Sequence, residues 1–209
     1  MEEILDSALP RKRSIGIRKV EASQEAAWVK ASQQGDVIAF NRLVLIWEES
    51  IYNLALRMLQ DPDEAAESTQ EVFLNAFKNI RRFRLEAQFS TWLYRIAANT
   101  CISRLRKRPP GVHISLESSG SETSVSQVLP AVDSQERDFL REESYQRVRK
   151  ALEHLQPEQK VVLELKFYQE LTFEEIAQIV DAPLSTIKSR LYTGLESLKV
   201  RLGRMSRKR

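Results

Sequence analysis

The sequence predicts an all-α protein: two small helical domains joined by a flexible linker. Three observations carry that expectation. Apolar residues recur at steps of three and four nearly throughout, the spacing that lines up one helix face. Glycine (6) and proline (7) are scarce in the 209 residues and gather at a few breaks. Several breaks carry helix-starting chemistry, with Asp or Thr as cap or Pro in the first turn. The hydrophobic content of 42% is enough for real cores and excludes wholesale disorder. The balance of 32 basic and 29 acidic residues leaves a net charge of only +3. Any case for a nucleic-acid partner therefore rests on where the charge lies.

Residues 1–22 mix charge with Pro10 and the basic run Arg11-Lys12-Arg13, and their periodicity is poor. They are expected to form a mobile extension. The first domain is expected over 23–108. A helix carrying Ala27, Trp28, Val29 and Ala31 breaks at Gly35-Asp36. Asp36 is placed to cap the next helix, whose apolar face is Ala39, Phe40, Leu43, Val44 and Trp47, continued by Ile51, Leu54, Ala55, Met58 and Leu59. Asp61-Pro62-Asp63-Glu64 then supplies a cap, a first-turn proline and a box-like carboxylate. In the helix that follows, Val72, Phe73, Ala76, Phe77 and Ile80 can pack inward. Glu67, Gln70 and Glu71, with Asn75, form an acidic and polar ridge on the other side.

Composition then flips. From residue 78 to 108 stand Lys78, Arg81, Arg82, Arg84, Arg95, Arg104, Arg106, Lys107 and Arg108 against one acid, Glu86. Phe83, Phe89, Trp92 and Tyr94 are interleaved. Cations that follow a backbone beside rings that stack on bases suit an unpaired strand. Trp92 shares helical spacing with Leu93, Ile96 and Ala97, so it is read as core. Phe83 and Phe89 flank the short loop 84–88, where an extruded base could sit.

Pro109-Pro110-Gly111 ends this helix, and the Ser-rich stretch that follows reads as a linker over 109–139. A second domain is expected over 140–203. It starts from Phe139, Tyr145, Val148, Ala151, Leu152 and Leu155, and Pro157 opens a helix with Val161, Val162, Leu165 and Phe167. Leu171 to Lys199 reads as a helix-turn-helix. Thr172 and Glu175 have capping-box spacing, and Ile176, Ala177 and Val180 form an apolar stripe. Asp181-Ala182-Pro183 breaks the pair. Ile187, Leu191, Leu195, Leu198 and Leu202 line one face of the second helix. Ser185, Thr186, Lys188, Ser189, Arg190, Tyr192 and Thr193 occupy the rest, a composition suited to a major groove. An ordinary helix pair with a solvated face has the same pattern. Residues 204–209 are a basic tail.

The single cysteine, Cys101, permits no internal disulfide and reads as a small buried hydrophobe. His113 and His154 lack ligand-spaced neighbours, so neither metal nor cofactor is expected. No apolar run reaches transmembrane length and no signal-peptide core is present, so a cytoplasmic chain without membrane insertion is expected.

Taken together, these motifs resemble the extracytoplasmic-function (group 4) sigma factors of the sigma-70 family, from about residue 25 to 203. Gly35-Asp36 with Ala39-Phe40-x-x-Leu43-Val44 looks like region 2.1, and Thr69-Gln70-Glu71-Val72-Phe73 looks like region 2.2. Phe83-Arg84 with Phe89-Ser90-Thr91-Trp92-Leu93-Tyr94-Arg95-Ile96-Ala97-x-Asn99 looks like regions 2.3 and 2.4. Leu155-x-Pro157, Leu171 to Ala177 and Thr186 to Leu191 look like region 4. The resemblance implies a non-enzymatic factor that directs core RNA polymerase to promoters. It implies that Glu67, Gln70, Glu71 and Asn75 dock on the β′ clamp helices, with region 4 meeting the β flap. It implies that Phe83, Arg84, Gln88, Phe89, Arg95, Asn99, Arg104 and Lys107 take the −10 strand. Ser185, Thr186, Lys188, Ser189, Arg190, Tyr192 and Thr193 would read the −35 duplex, with Lys166 a further phosphate contact. An anti-sigma protein is implied as a regulator. The chain departs from common family patterns at Ser68, at Leu85 and at Ala182, where a Ser cap is frequent; Asp181 is expected to replace that cap in part. Two other readings compete. A one-component helix-turn-helix regulator leaves the 61–108 block unexplained. A nucleic-acid-processing enzyme lacks a third acid, a His cluster or a phosphate loop beside Glu67 and Glu71.

Overall fold

The computed structural model describes residues 21–84, 87–108 and 147–206. The readings for the N-terminal extension, Leu85 and Glu86, the 109–139 linker with His113, Phe139 and Tyr145, and the tip of the basic tail lie outside the described residues. Every regular element among the described residues is helical.

In the first group, α1 (Ala22–Gln33), α2 (Val37–Leu59) and α3 (Pro62–Asn79) lead through a 3-10 turn (Ile80–Arg82) to α4 (Phe89–Lys107). Gly35, at φ 99°, reverses the chain between α1 and α2. Asp36 then caps α2, accepting from the amides of Ile38 (2.8 Å) and Ala39 (3.0 Å). Asp61 caps α3 through the Glu64 amide at 2.8 Å, with Pro62 in the first turn. The expected box does not close there. The Glu64 carboxylate instead takes Arg108 at 2.6 Å, and Arg108 also donates to the Leu59 carbonyl, so the end of α4 is tied to the α2–α3 corner. Leu43, Ile51, Leu54, Met58, Val72, Ala76, Ile80, Leu93 and Ala97 form the core, with Cys101 buried among them. Burial pushes the Cys101 thiol up to about 12, in keeping with its reading as a hydrophobe. Phe77 meets Phe40 edge-on at 5.0 Å but stays partly exposed, so it packs inward less than its spacing implies. Ser68 is fully buried and its hydroxyl has no partner among the described residues.

The second group is a short helix α5 (147–153), α6 (Pro157–Phe167), α7 (Phe173–Val180) and α8 (Leu184–Ser206). The capping box of α7 closes. The Glu175 amide donates to Thr172 Oγ1 at 3.2 Å, and the Thr172 amide donates to the Glu175 carboxylate at 2.8 Å. Ile176 and Ile179 carry its buried face, while Ala177 and Val180 are half-buried, a rotation from the expected stripe. Asp181 takes the left-handed conformation (φ 52°) and ends α7; it does not cap α8. The first backbone bond of α8 runs from Ile187 to the Pro183 carbonyl. Val161, Val162 and Leu165 of α6 pack with Ile187, Leu191 and Leu198 of α8. Gly194 lets the two helices approach: a Cβ there would stand 3.2 Å from Leu163 Cδ1 and 3.5 Å from Gln159 Cβ. The two groups are packed on each other, α4 against α7 and α6, and α2 against α6.

Candidate nucleic-acid interface

The acidic ridge on α3 is real but not free-standing. Glu67, Gln70 and Glu71 are exposed and Asn75 is half-buried. Arg104 of α4 forks across the two carboxylates, 3.0 Å from Glu67 and 3.1 Å from Glu71. One guanidinium thus joins the ridge to α4. It also removes Arg104 from the group in which the sequence placed it, because nine residues of helix separate its face from that of Arg95.

The residues grouped for a single strand divide in the same way. Arg84, Gln88, Arg95, Asn99 and Lys107 are exposed. Phe83 and Phe89 are not: they are 7% and 4% exposed and meet edge-on at 6.0 Å. Trp92 lies 5.0 Å from Phe83 and 5.7 Å from Phe89 and is the less buried ring of the three. The phenylalanines therefore support the wall, and Trp92, read as core, holds the accessible edge. Helical spacing continues the Arg95–Asn99 stripe to Arg106, a cation missing from the sequence-based group although its spacing was legible.

The turn after α7 lies on this stripe. Arg95 donates from both Nε (3.2 Å) and Nη2 to the Gln178 carbonyl, and Nη2 lies 3.9 Å from the Asp181 carboxylate. Arg95, Ala177, Gln178, Asp181, Ala182 and Pro183 together line an open cleft. One helix position away, the Tyr94 hydroxyl donates to Gln169 at 2.7 Å, and burial pushes its pKa up to about 12. Arg106 forks onto Glu158 of α6.

Deeper in the same contact lies a charged cluster. Arg57 of α2 is 2.6 Å from the buried Glu164 carboxylate and stacks on the Tyr168 ring at 4.3 Å. Burial raises the Glu164 pKa, and Arg57 opposes that rise. Lys160 donates to the Met58 carbonyl at 2.5 Å, and burial lowers its pKa to about 8. Gln60 and Arg149 exchange hydrogen bonds at 3.2 and 3.0 Å, with Gln60 itself left-handed at φ 60°.

On α8, Ser185, Lys188, Ser189, Tyr192 and Thr193 are exposed, while Thr186 and Arg190 are half-buried. Tyr192 is 63% exposed, a large ring standing in solvent. Thr193 is engaged within the domain: it donates to the Ser189 carbonyl at 2.8 Å and accepts from Gln159 at 3.0 Å. Lys166 is also engaged, donating to the Leu171 carbonyl at 3.1 Å and lying 4.9 Å over the Phe173 ring. Its ammonium braces the helix-turn-helix in this conformation. Among the described residues no group of three or more His, Cys, Asp or Glu is arranged to hold a metal, and no helix is long and apolar enough to cross a membrane.

Comparison with known proteins matches two families in this order: sigma-70 region 2 over residues 43–109 and sigma-70 region 4 over residues 145–198. The chain is 35% identical over 176 residues to the ECF RNA polymerase sigma factor SigW of Bacillus subtilis, covering 83% of this chain and 94% of that protein. Among solved structures, CnrH in complex with the cytosolic domain of CnrY superposes with a TM-score of 0.62 at 15% identity, over 86% of this chain and 97% of that one. The sigma factor RpoE of Bartonella quintana, in complex with the anti-sigma factor NepR, superposes at 0.57 with 23% identity, over 80% and 98%.

Proposed function

This chain belongs to the extracytoplasmic-function RNA polymerase sigma factors, and on that premise we propose how its surfaces divide the work of initiation. It acts in the cytoplasm by binding rather than by turnover. The ridge Glu67, Gln70 and Glu71, with Asn75 beside it, docks on core polymerase. The α4 stripe of Arg95 and Asn99, with Arg84, Gln88 and Lys107 near it, takes the non-template strand of the −10 element, cations following phosphates. The outer face of α8 enters the major groove at −35: Lys188, Ser189 and Tyr192 reach base edges, and Ser185, Thr186, Arg190 and Thr193 lie toward the backbone. An anti-sigma protein, of the kind seen with the Bartonella relative, is the proposed regulator.

This division rests on one observation: an acidic face, a cationic face and a hydroxyl-rich face stand on three different helices, α3, α4 and α8. Run-off transcription with purified core polymerase tests it. The full chain is expected to confer promoter-specific initiation. Gln70→Ala with Glu71→Ala is expected to weaken core binding about tenfold, equal to roughly 1.4 kcal/mol. Unchanged core affinity would remove the ridge from the interface. A regulator acting without polymerase would instead retard promoter duplex and yield no transcript.

A further inference from the structure

We propose that Arg104 is a positioning residue for polymerase docking: from α4 it sets Glu67 and Glu71 of α3 as a prearranged pair of acceptors. The proposal rests on assigning the α3 ridge to core polymerase.

The geometry is that of a bridge, with one guanidinium nitrogen for each carboxylate. Arg104 Nη1 donates to Glu67 Oε2 at 3.0 Å, and Nη2 donates to Glu71 Oε2 at 3.1 Å. Arg104 thus uses one oxygen of each carboxylate, and an ionised carboxylate has lone pairs for further donors. The side chains are graded outward: Arg104 is 27% exposed, Glu71 48% and Glu67 69%. The cation is the sheltered member, and the carboxylates are what an approaching surface meets.

Left alone, the two carboxylates would make a poor docking pair. They stand one turn apart on the same helix, where like charges repel. Each is a long, freely rotating side chain, and it would lose that freedom on docking. A single planar fork corrects both faults: it offsets the repulsion and orders the two side chains before the partner arrives. Lysine keeps the charge but offers one nitrogen in place of two.

The neighbouring arginine on α4 shows the contrast. One turn on, Arg108 meets Glu64 at 2.6 Å and also donates to the Leu59 carbonyl. Arg108 and Glu64 are both half-buried, and their pair closes a corner of the fold. Arg104 instead directs both Nη groups at exposed carboxylates of the docking ridge.

The sign of the effect separates positioning from charge. Removing Arg104 makes the ridge one charge more negative, which by attraction alone would tighten a cationic partner. At physiological ionic strength exposed charges are screened beyond about 8 Å, so the loss of short-range order is expected to win.

Core affinity of the full chain at physiological salt tests the proposal. Arg104→Ala is expected to bind core polymerase about fivefold more weakly. Arg104→Lys is expected to fall between alanine and wild type, and it carries the test should the alanine variant not fold. Exposed ion pairs contribute little to stability, so both melting temperatures are expected to stay close to wild type. A double-mutant cycle distinguishes positioning from a general loosening of α4. In a Glu67→Gln, Glu71→Gln background, Arg104→Ala is expected to have no further effect on core affinity. Equal loss in both backgrounds overturns the proposal, as does unchanged or tighter core binding by Arg104→Ala. If core binding is unchanged and −10 strand affinity falls, Arg104 returns to the DNA-binding group. The premise has its own readout. Glu67→Gln with Glu71→Gln alone is expected to weaken core binding; if it does not, the ridge assignment fails and the proposal with it. If it does and Arg104→Ala does not, only the positioning role is lost.

Discussion

The two proposed DNA readers of this chain are built on opposite plans. The α8 face is a run of near-consecutive residues on one helix, set by its own domain and open to solvent. The α4 face gathers residues from 84 to 107, leans on the buried Phe83–Phe89 pair, and touches a neighbouring domain at Arg95. Duplex presents a regular groove, so a rigid, permanently exposed helix suits it. An unpaired strand presents no such groove, and its proposed reader is assembled from a loop and a helix instead.

The sharpest challenge to this contrast is Lys188→Ala. If α8 reads bases unaided, the variant loses about 1–3 kcal/mol on some −35 sequences and much less on others. Holoenzyme titrated on a panel of −35 duplexes measures it, and uniform weakening would reduce Lys188 to a phosphate contact.

Next in size is the response of the contact between the two helical groups to pH. The Lys160 pKa stands at about 8 in this contact because burial penalises the ammonium, against 10.5 when free. The contact is disfavoured while Lys160 must carry its proton, so it strengthens as pH rises from 8 toward 10.5. Glu164 has the opposite sign: its raised pKa favours the contact as pH falls into the carboxylate range. Between pH 7.5 and 9.5 the ratio of packed to parted groups is expected to rise about twentyfold, read as a smaller radius of gyration, and Lys160→Met is expected to abolish the change. A wild-type chain whose dimensions ignore pH over that interval would place Lys160 outside the contact's titration.

The smallest effect concerns the local plan of the helix-turn-helix. Thr172→Ala breaks the capping box of α7 and is expected to cost about 1 kcal/mol, seen as a lower melting temperature together with weaker −35 binding. An equal loss of −10 strand binding would contradict the separation of the two readers.

The same contrast explains what could be read from the chain alone. Caps at Asp36, Asp61 and Thr172 are short-range chemistry and stand where their spacing puts them. The core stripes of α2 and α8 follow from period alone. The α4 site was less legible because its partners are distant in sequence. Periodicity cannot say that Arg104 crosses to Glu67 and Glu71, or that Gln178 and Asp181 lie on Arg95. Spacing with Leu93 and Ala97 marked Trp92 as core, and it packs half-buried against that core; period alone did not show that Phe83 and Phe89 are buried with it, brought together across a loop. Glu64 was misplaced for a related reason: a nearby amide was the obvious partner until a guanidinium 44 residues on competed for it.

Gly194 gives α8 a mechanical character. The helix has 23 residues, roughly 34 Å at 1.5 Å per residue, and Gly194 sits near its midpoint, pressed against Leu163. On one side extends the reading end, Ser185 to Tyr192; on the other, Leu195, Leu198 and Leu202 anchor the shaft. That makes the glycine a fulcrum. A methyl placed there would require the tip of Leu163 to give by a few tenths of an ångström; where it does not give, the beam lifts at its pivot and the proposed reading tip swings through a larger arc.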